Sequence, residues 1–205
     1  MILRYIFISL LVLLSNALFS QIPGSMEVPK NEHPCAQISE YPDEITDNLV
    51  LARMIEGLGF RYYWVTEGLR PEDLAYLPGN DGRSTEQTLG HLYDLSNTIV
   101  HAVQGLPIKR SVEKEELTFE DRRLKALNNF DAAVSYLKSN PTKMDNVKII
   151  FQRGERTSEF PIWNLINGPI TDAIYHCGQI VSFRRSSGNP IRAGVNVFRG
   201  VQSNK

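Results

Sequence analysis

The residues best placed to do chemistry are two histidines and an aspartate. His176 follows Asp172 by four positions in TDAIYHCGQIVSFRRSSG, and His91 stands in the separate segment TEQTLGHLYDLS. Residues four apart stack on one helical face, so Asp172 and His176 could hold one cation between them. His91, brought in from a facing helix, would complete two imidazoles and a carboxylate, a ligand set used for zinc and non-haem iron. Three protein ligands leave a coordination position open to water or substrate, which separates a catalytic metal site from a structural one. A plainer reading stands beside this one. An Asp–His pair at that spacing is often a surface pair worth only about 0.2–0.5 kcal/mol.

Other chemistries have less support. The chain has no Gly-x-Ser-x-Gly elbow, no phosphate loop and no dinucleotide fingerprint. His101 lies about 80° round its helix from His91 and reads as a surface or packing residue. His33 falls in a polar leader and reads as solvated. Arg184 and Arg185 could meet an anionic group, although arginines late in a helix more often complement its dipole. Cys35 and Cys177 are the only cysteines. They could form one bridge tying the N-terminal segment to the last helix, or leave Cys177 as a reactive thiol beside His176.

Four amphipathic helices must position these residues. Leu51, Ile55, Leu58, Tyr62, Val65 and Leu69 recur at steps of three and four, giving a first helix from about Thr46 to Gly68. Ser84 and Gln87 form a capping box that opens a second helix with Leu92, Leu95, Ile99 and Val103 inward. Thr118 caps a third, with Leu124, Leu127, Phe130, Val134 and Leu137 as its stripe, and Asn140-Pro141 stops it. Lys148–Phe151 and Thr157–Phe160 flank Arg153-Gly154-Glu155 and could pair as a short hairpin. The fourth helix covers roughly Pro161–Ser186, and Pro169 must either kink it or sit in the first turn of a restart.

The fold class expected is therefore all-α, a four-helix bundle over residues 46–192 with a short β-hairpin before the last helix. Geometry within it raises one conflict. His91 sits only about 60–70° from the centre of its apolar stripe. On the last helix the stripe is Ile170, Ile174, Cys177 and Val181, and Asp172, His176, Gln179 and Phe183 point more than about 100° away from it. Either that helix is buried on two sides, or its second face meets solvent.

Composition bounds the setting. With 205 residues, 42% hydrophobic and a net charge of −1, the chain can bury a core and lacks the basic excess of a nucleic-acid binder. Met1–Arg4 and the apolar run Tyr5–Leu14 read as an export signal over residues 1–20, cut after Ala17 or Ser20. The uncharged stretch Tyr5–Phe19 is shorter than the roughly 20 residues that span a bilayer, so no stable membrane anchor is expected after cleavage. The mature protein, in the periplasm or outside the cell, would comprise a leader (21–45), the bundle and a C-terminal tail (193–205).

Leu69–Ser96 (LRPEDLAYLPGNDGRSTEQTLGHLYDLS) resembles the first helix junction and metal-binding second helix of DinB-like proteins. Thr171–Gly188 resembles their last helix, written His-x3-His-x-Gly-Gln-Ile followed by Arg and Gly. The resemblance covers about Thr46 to Gly188. It implies a four-helix bundle with a three-histidine site for zinc, nickel or a similar divalent ion, in a family that includes thiol S-transferases and a thiol-dependent isomerase. His91 and His176 match the outer two ligands, whereas Asp172 stands where the middle histidine would be.

A carboxylate there would lower a divalent site to about +1, weaken it as a Lewis acid and bring iron or manganese in beside zinc. Alternatively, Asp172 marks a member that has lost its metal. Export also argues against the thiol reactions, because small thiols are oxidised outside the cytosol.

The function expected is metal-dependent hydrolysis or group transfer on a small-molecule substrate, with Gln179 and Tyr175 orienting substrate or ligand. The alternative is a non-catalytic binding or scaffold bundle. A homodimer is the oligomer the chain could form. The mature protein recovered after export is expected to begin at Leu18 or Gln21, as N-terminal sequencing would show; an intact Met1 would contradict the export reading.

Overall fold

Local capping chemistry sets the helix boundaries. In the computed structural model, which describes residues 33–109 and 116–203, α1 spans Asp47–Thr66 and the Thr46 hydroxyl accepts the Leu49 N–H. A short α2 (Pro71–Leu74) leads to α3 (Thr85–Gln104). Its capping box forms: Ser84 N–H donates to Gln87 Oε1 at 2.9 Å, and Gln87 N–H to Ser84 Oγ at 3.2 Å. Gly105, at φ +68°, ends the helix in the left-handed region that favours glycine. α4 (Phe119–Ser139) begins at Thr118 and stops at Asn140, before Pro141. The expected export signal and the leader as far as residue 32 lie outside the described residues.

The long helices pack in a ring, α1 on α4, α4 on α3, α3 on α6 (Thr171–Ser186) and α6 back on α1. The stripe of α1 is buried as its spacing requires, from Leu51 through Ile55, Leu58 and Tyr62 to Val65. Each such side chain contributes about 1.5–3 kcal/mol of burial. Two stripes differ from expectation. Leu124 is exposed, and Ala126 and Ala133 are buried in α4 instead; Leu95 is half-buried, and Leu89 is fully inside α3. With Ala126 and Ala133 inside, the buried face of α4 is centred about 120° round the helix from Leu124, which therefore points outward.

The all-α expectation needs correction. The structure is mostly helical with a small mixed sheet: β1 (Ile108–Lys109) runs parallel to β2 (Lys148–Arg153), which pairs antiparallel with β3 (Arg156–Pro161). The hairpin anticipated from the sequence is present, closed over Gly154-Glu155 with Gly154 at φ +58°. β1 has no sequence signature, because two residues carry no period.

Both ends of the described chain fold onto this frame. The Trp64 indole N–H donates to the Ala36 carbonyl at 3.0 Å, and Arg53 reaches the Ser39 and Glu40 carbonyls at 2.8 Å each. A Cβ at Gly59 would lie 2.9 Å from Cys35 Sγ, so only glycine lets this segment lie so close to α1. His33, expected to be solvated, is half-buried: its Nδ1 accepts the Cys35 N–H at 3.1 Å and its Nε2 lies 3.2 Å from Asn128 Oδ1. The C-terminal stretch, expected as a tail, turns back as β4 (Val195–Asn196) and β5 (Val201–Gln202), where the Gly200 carbonyl accepts the Ile38 N–H at 2.8 Å. Among the described residues no helix is long and apolar enough to cross a membrane.

One buried carboxylate joins the α1–α3 connection to the end of α6. Asp73 is 1% exposed; Arg70 donates to both its oxygens, at 2.9 and 3.0 Å, and Ser187 Oγ and Asn189 Nδ2 each donate at 2.6 Å. Beside it, Arg184 is buried and donates to the Val65 and Glu67 carbonyls at 3.0 and 2.7 Å. Arg184 thus satisfies the end of α1 rather than its own helix dipole.

The hydrogen bond from Arg70, aided by Ser187 and Asn189, holds the Asp73 carboxyl well below the usual carboxylate range. A depressed folded value means that the stabilisation is full above the unfolded pKa of about 3.9 and is lost as the pH falls toward the folded value. Asp73→Ala is expected to cost about 2–4 kcal/mol at pH 7 and to flatten the loss of stability below pH 4, measured by urea unfolding across pH.

Candidate metal centre

Asp172 and His176 occupy the first turns of α6, and His91 lies in the second turn of α3, which packs against it. One donor atom from each of the three residues lies within 4.8 Å of the others. His91 Nε2 is 3.0 Å from Asp172 Oδ2, and His176 Nε2 is 3.4 Å from Asp172 Oδ1. The two imidazole rings meet edge to face with centroids 5.0 Å apart. Ligands about 2.0–2.1 Å from a tetrahedral ion are themselves about 3.3–3.4 Å apart, so these separations suit a shared cation.

The tautomer of His176 supports the same fit. Gln179 Oε1 lies 2.6 Å from His176 Nδ1. A carboxamide oxygen only accepts, so this contact suits the tautomer with its hydrogen on Nδ1, in which a neutral ring presents its lone pair on Nε2. That lone pair faces the Asp172 carboxylate. Two electron-rich atoms so placed require a proton or a cation between them, and the hydrogen bond behind the ring is the usual way a ligating histidine is oriented. Burial grades across the site: the His176 side chain is 10% exposed, His91 30% and Asp172 42%. One wall is therefore enclosed and the other is open to solvent.

The conflict over the last helix resolves as one broad buried face with His176 on its flank. Its innermost residues are Ile170, Ala173, Cys177, Ile180 and Arg184, whereas Ile174 and Val181 are only half-buried. The centre of that buried set lies about 50° closer to His176 than the centre of the expected stripe. Ala173 and Arg184 carry little hydrophobic signal, and the buried Ile180 lies outside the expected stripe, so the apolar reading misplaces its centre.

Pro169 does not break the helix. α5 (Ile162–Leu165) passes into a π-turn over Ile166–Ile170, with Pro169 inside it, and then into α6. The Thr171 N–H reaches back to the Ile166 carbonyl, and the Thr171 hydroxyl donates to the same oxygen at 2.6 Å. Such a turn holds one extra residue, so it rotates the remainder of the helix by about 100° relative to an unbroken α-helix. Asp172 stands two residues beyond it. The signal is Asn167-Gly168-Pro169, which is legible as a disturbance but not as this one.

Of the two orienting candidates, Gln179 touches a proposed ligand directly. Tyr175 is 63% exposed and lays its ring edge-on to His176, with centroids 5.6 Å apart. The bridge considered for the cysteines does not form: Cys35 and Cys177 are both buried free thiols, and burial pushes each up to about 12. A thiol held protonated at neutral pH is a poor nucleophile, which corrects the reading of Cys177 as a reactive group. His101 is a packing residue, its Nδ1 2.7 Å from the Asn97 carbonyl.

Gln179→Leu, which keeps the volume and removes the acceptor behind His176, is expected to weaken zinc affinity about 10–100-fold with the fold intact, as read by competition titration against a chromogenic chelator. Compared with known proteins, the chain matches no family model and no curated sequence.

Proposed function

We propose that this is an exported, DinB-like four-helix-bundle protein in which His91, Asp172 and His176 hold a divalent metal for hydrolysis or group transfer on a small molecule. The observation that carries the reading is the Gln179-braced His176, whose Nε2 lies 3.4 Å from a carboxylate that also contacts His91. The ring of four packed helices supports the bundle, and the site lies between two of them. Two neutral nitrogens and one carboxylate fit zinc, nickel, iron or manganese. A divalent ion there would supply Lewis acidity toward an electron-rich atom of the substrate.

The chain's own residues do the rest. His176, buried and braced by Gln179, fixes the inner edge of the site. Asp172 brings the one negative charge and, being partly exposed, faces the side from which a substrate would arrive. Tyr175 presents an accessible ring next to His176, a surface on which an apolar or planar group could rest. His91 ties the α3 side to the same point.

Protein purified after native export without a histidine tag is expected to carry about one divalent ion per chain by metal mass spectrometry, and His91→Ala to lose it. Turnover found by screening esters, amides and group-transfer donors should fall at least 100-fold in Asp172→Ala and His176→Ala. If no ion is retained after dialysis against zinc, nickel, iron and manganese, Asp172 becomes the mark of a lost site and the non-catalytic bundle stands instead.

A further inference from the structure

The opposite face of α6 borders a second opening. A cavity of about 310 Å³ lies among Trp64 on α1, Ile174, Cys177 and Val181 on α6, and Ile191 and Val195 from the chain beyond it. That volume falls within the usual range of small-molecule sites. Ile174, Cys177, Gly178 and Val181 sit about 170° round α6 from Asp172 and His176, so this opening and the metal centre share a helix but no residue. Nothing about one depends on the other.

Three features indicate what it would take. The walls are almost wholly apolar, and the Cys177 thiol, held neutral by burial, behaves as part of them. Gly178 lines the cavity, and a Cβ there would meet nothing within 4 Å, so this position leaves room for a side chain to enter the groove. The single charge on the wall is Arg61, half-buried, whose Nη1 donates to the Gly57 carbonyl of its own helix at 2.8 Å; among the described residues no carboxylate pairs with it. A guanidinium keeps its charge and presents five N–H donors in a fork suited to a carboxylate. The remaining donors have no anionic partner in the described chain.

We propose that this cavity binds an apolar monocarboxylate of about ten to twelve non-hydrogen atoms, with its chain along Trp64, Ile174 and Val181 and its carboxylate on Arg61. The length follows from the volume, at roughly 30 Å³ per water-sized group. An uncharged molecule of the same length would fill the groove and leave Arg61 unmatched.

The test uses the full chain carrying Trp163→Phe, which leaves Trp64 as the only tryptophan. Decanoate, below its micelle concentration, should change Trp64 emission saturably at one site per chain, and decan-1-ol should bind at least tenfold more weakly. Arg61→Gln should lower decanoate affinity about tenfold or more and bring it to the level of decanol. Gly178→Leu, which fills the groove from a helical position that favours leucine over glycine, should abolish the change while leaving far-UV circular dichroism and bound metal unaltered. A flat titration, whether the groove is empty or covered by a second copy, overturns the proposal. Equal affinity for decanol, or unchanged affinity in either variant, overturns it as well.

Discussion

Everything near the candidate centre depends on the rotation of α6 about its own axis. The helix must bury Ile170, Ala173, Cys177 and Ile180 against its neighbours and, on the flank of the same stripe, press His176 toward α3. A turn of a few tens of degrees would carry the imidazole into solvent or move the apolar residues out of the core. Two features hold the rotation at opposite ends. The π-turn over Ile166–Ile170 sets the phase at which α6 begins, and Arg184 with the Asp73 cluster fixes its far end to α1 and α2. Both are polar or irregular features, and both lie outside the apolar pattern that builds the core.

The make-up of the Asp73 cluster reflects this demand. A fully enclosed carboxylate is destabilising unless its lone pairs are used, and here a guanidinium, a hydroxyl and a carboxamide all point at it. Apolar packing would allow the end of a helix to slide; a fork of directed hydrogen bonds does not. The carboxylate of Asp172 is a contrast within the same molecule. It is 42% exposed and contacts two imidazoles, and among the described residues no arginine or lysine forms an ion pair with it. In that environment a further positive charge would be favourable.

The two sides of α6 present different chemistry to solvent. One brings nitrogen and oxygen donors together at the α3 seam, and the other lines an apolar recess with an arginine at its wall. Small residues separate them: Ala173 permits close packing on the inner face, and Gly178 leaves room in the recess. The thiols take no part in either as nucleophiles, since burial keeps both protonated.

Much of this is legible in the residues themselves. The stripe of α1, the capping box at Ser84, the stop at Asn140 and the hairpin around Gly154 are short-range effects, encoded by neighbours a few positions apart. So is the candidate triad as a set of residue types, because Asp172 and His176 lie one turn apart whatever the rest of the chain does. The tertiary structure decided orientation. Whether Asp172 and His176 face a partner or water depends on the π-turn, on the small Ala173 in the buried face of α6, and on an arginine that is buried despite its charge. None of these carries a periodic signal. Cys35 and Cys177 could have met or not, and His33 could have been bathed in solvent or tucked against α4; only the packing of distant segments, about which local spacing says nothing, settled each case.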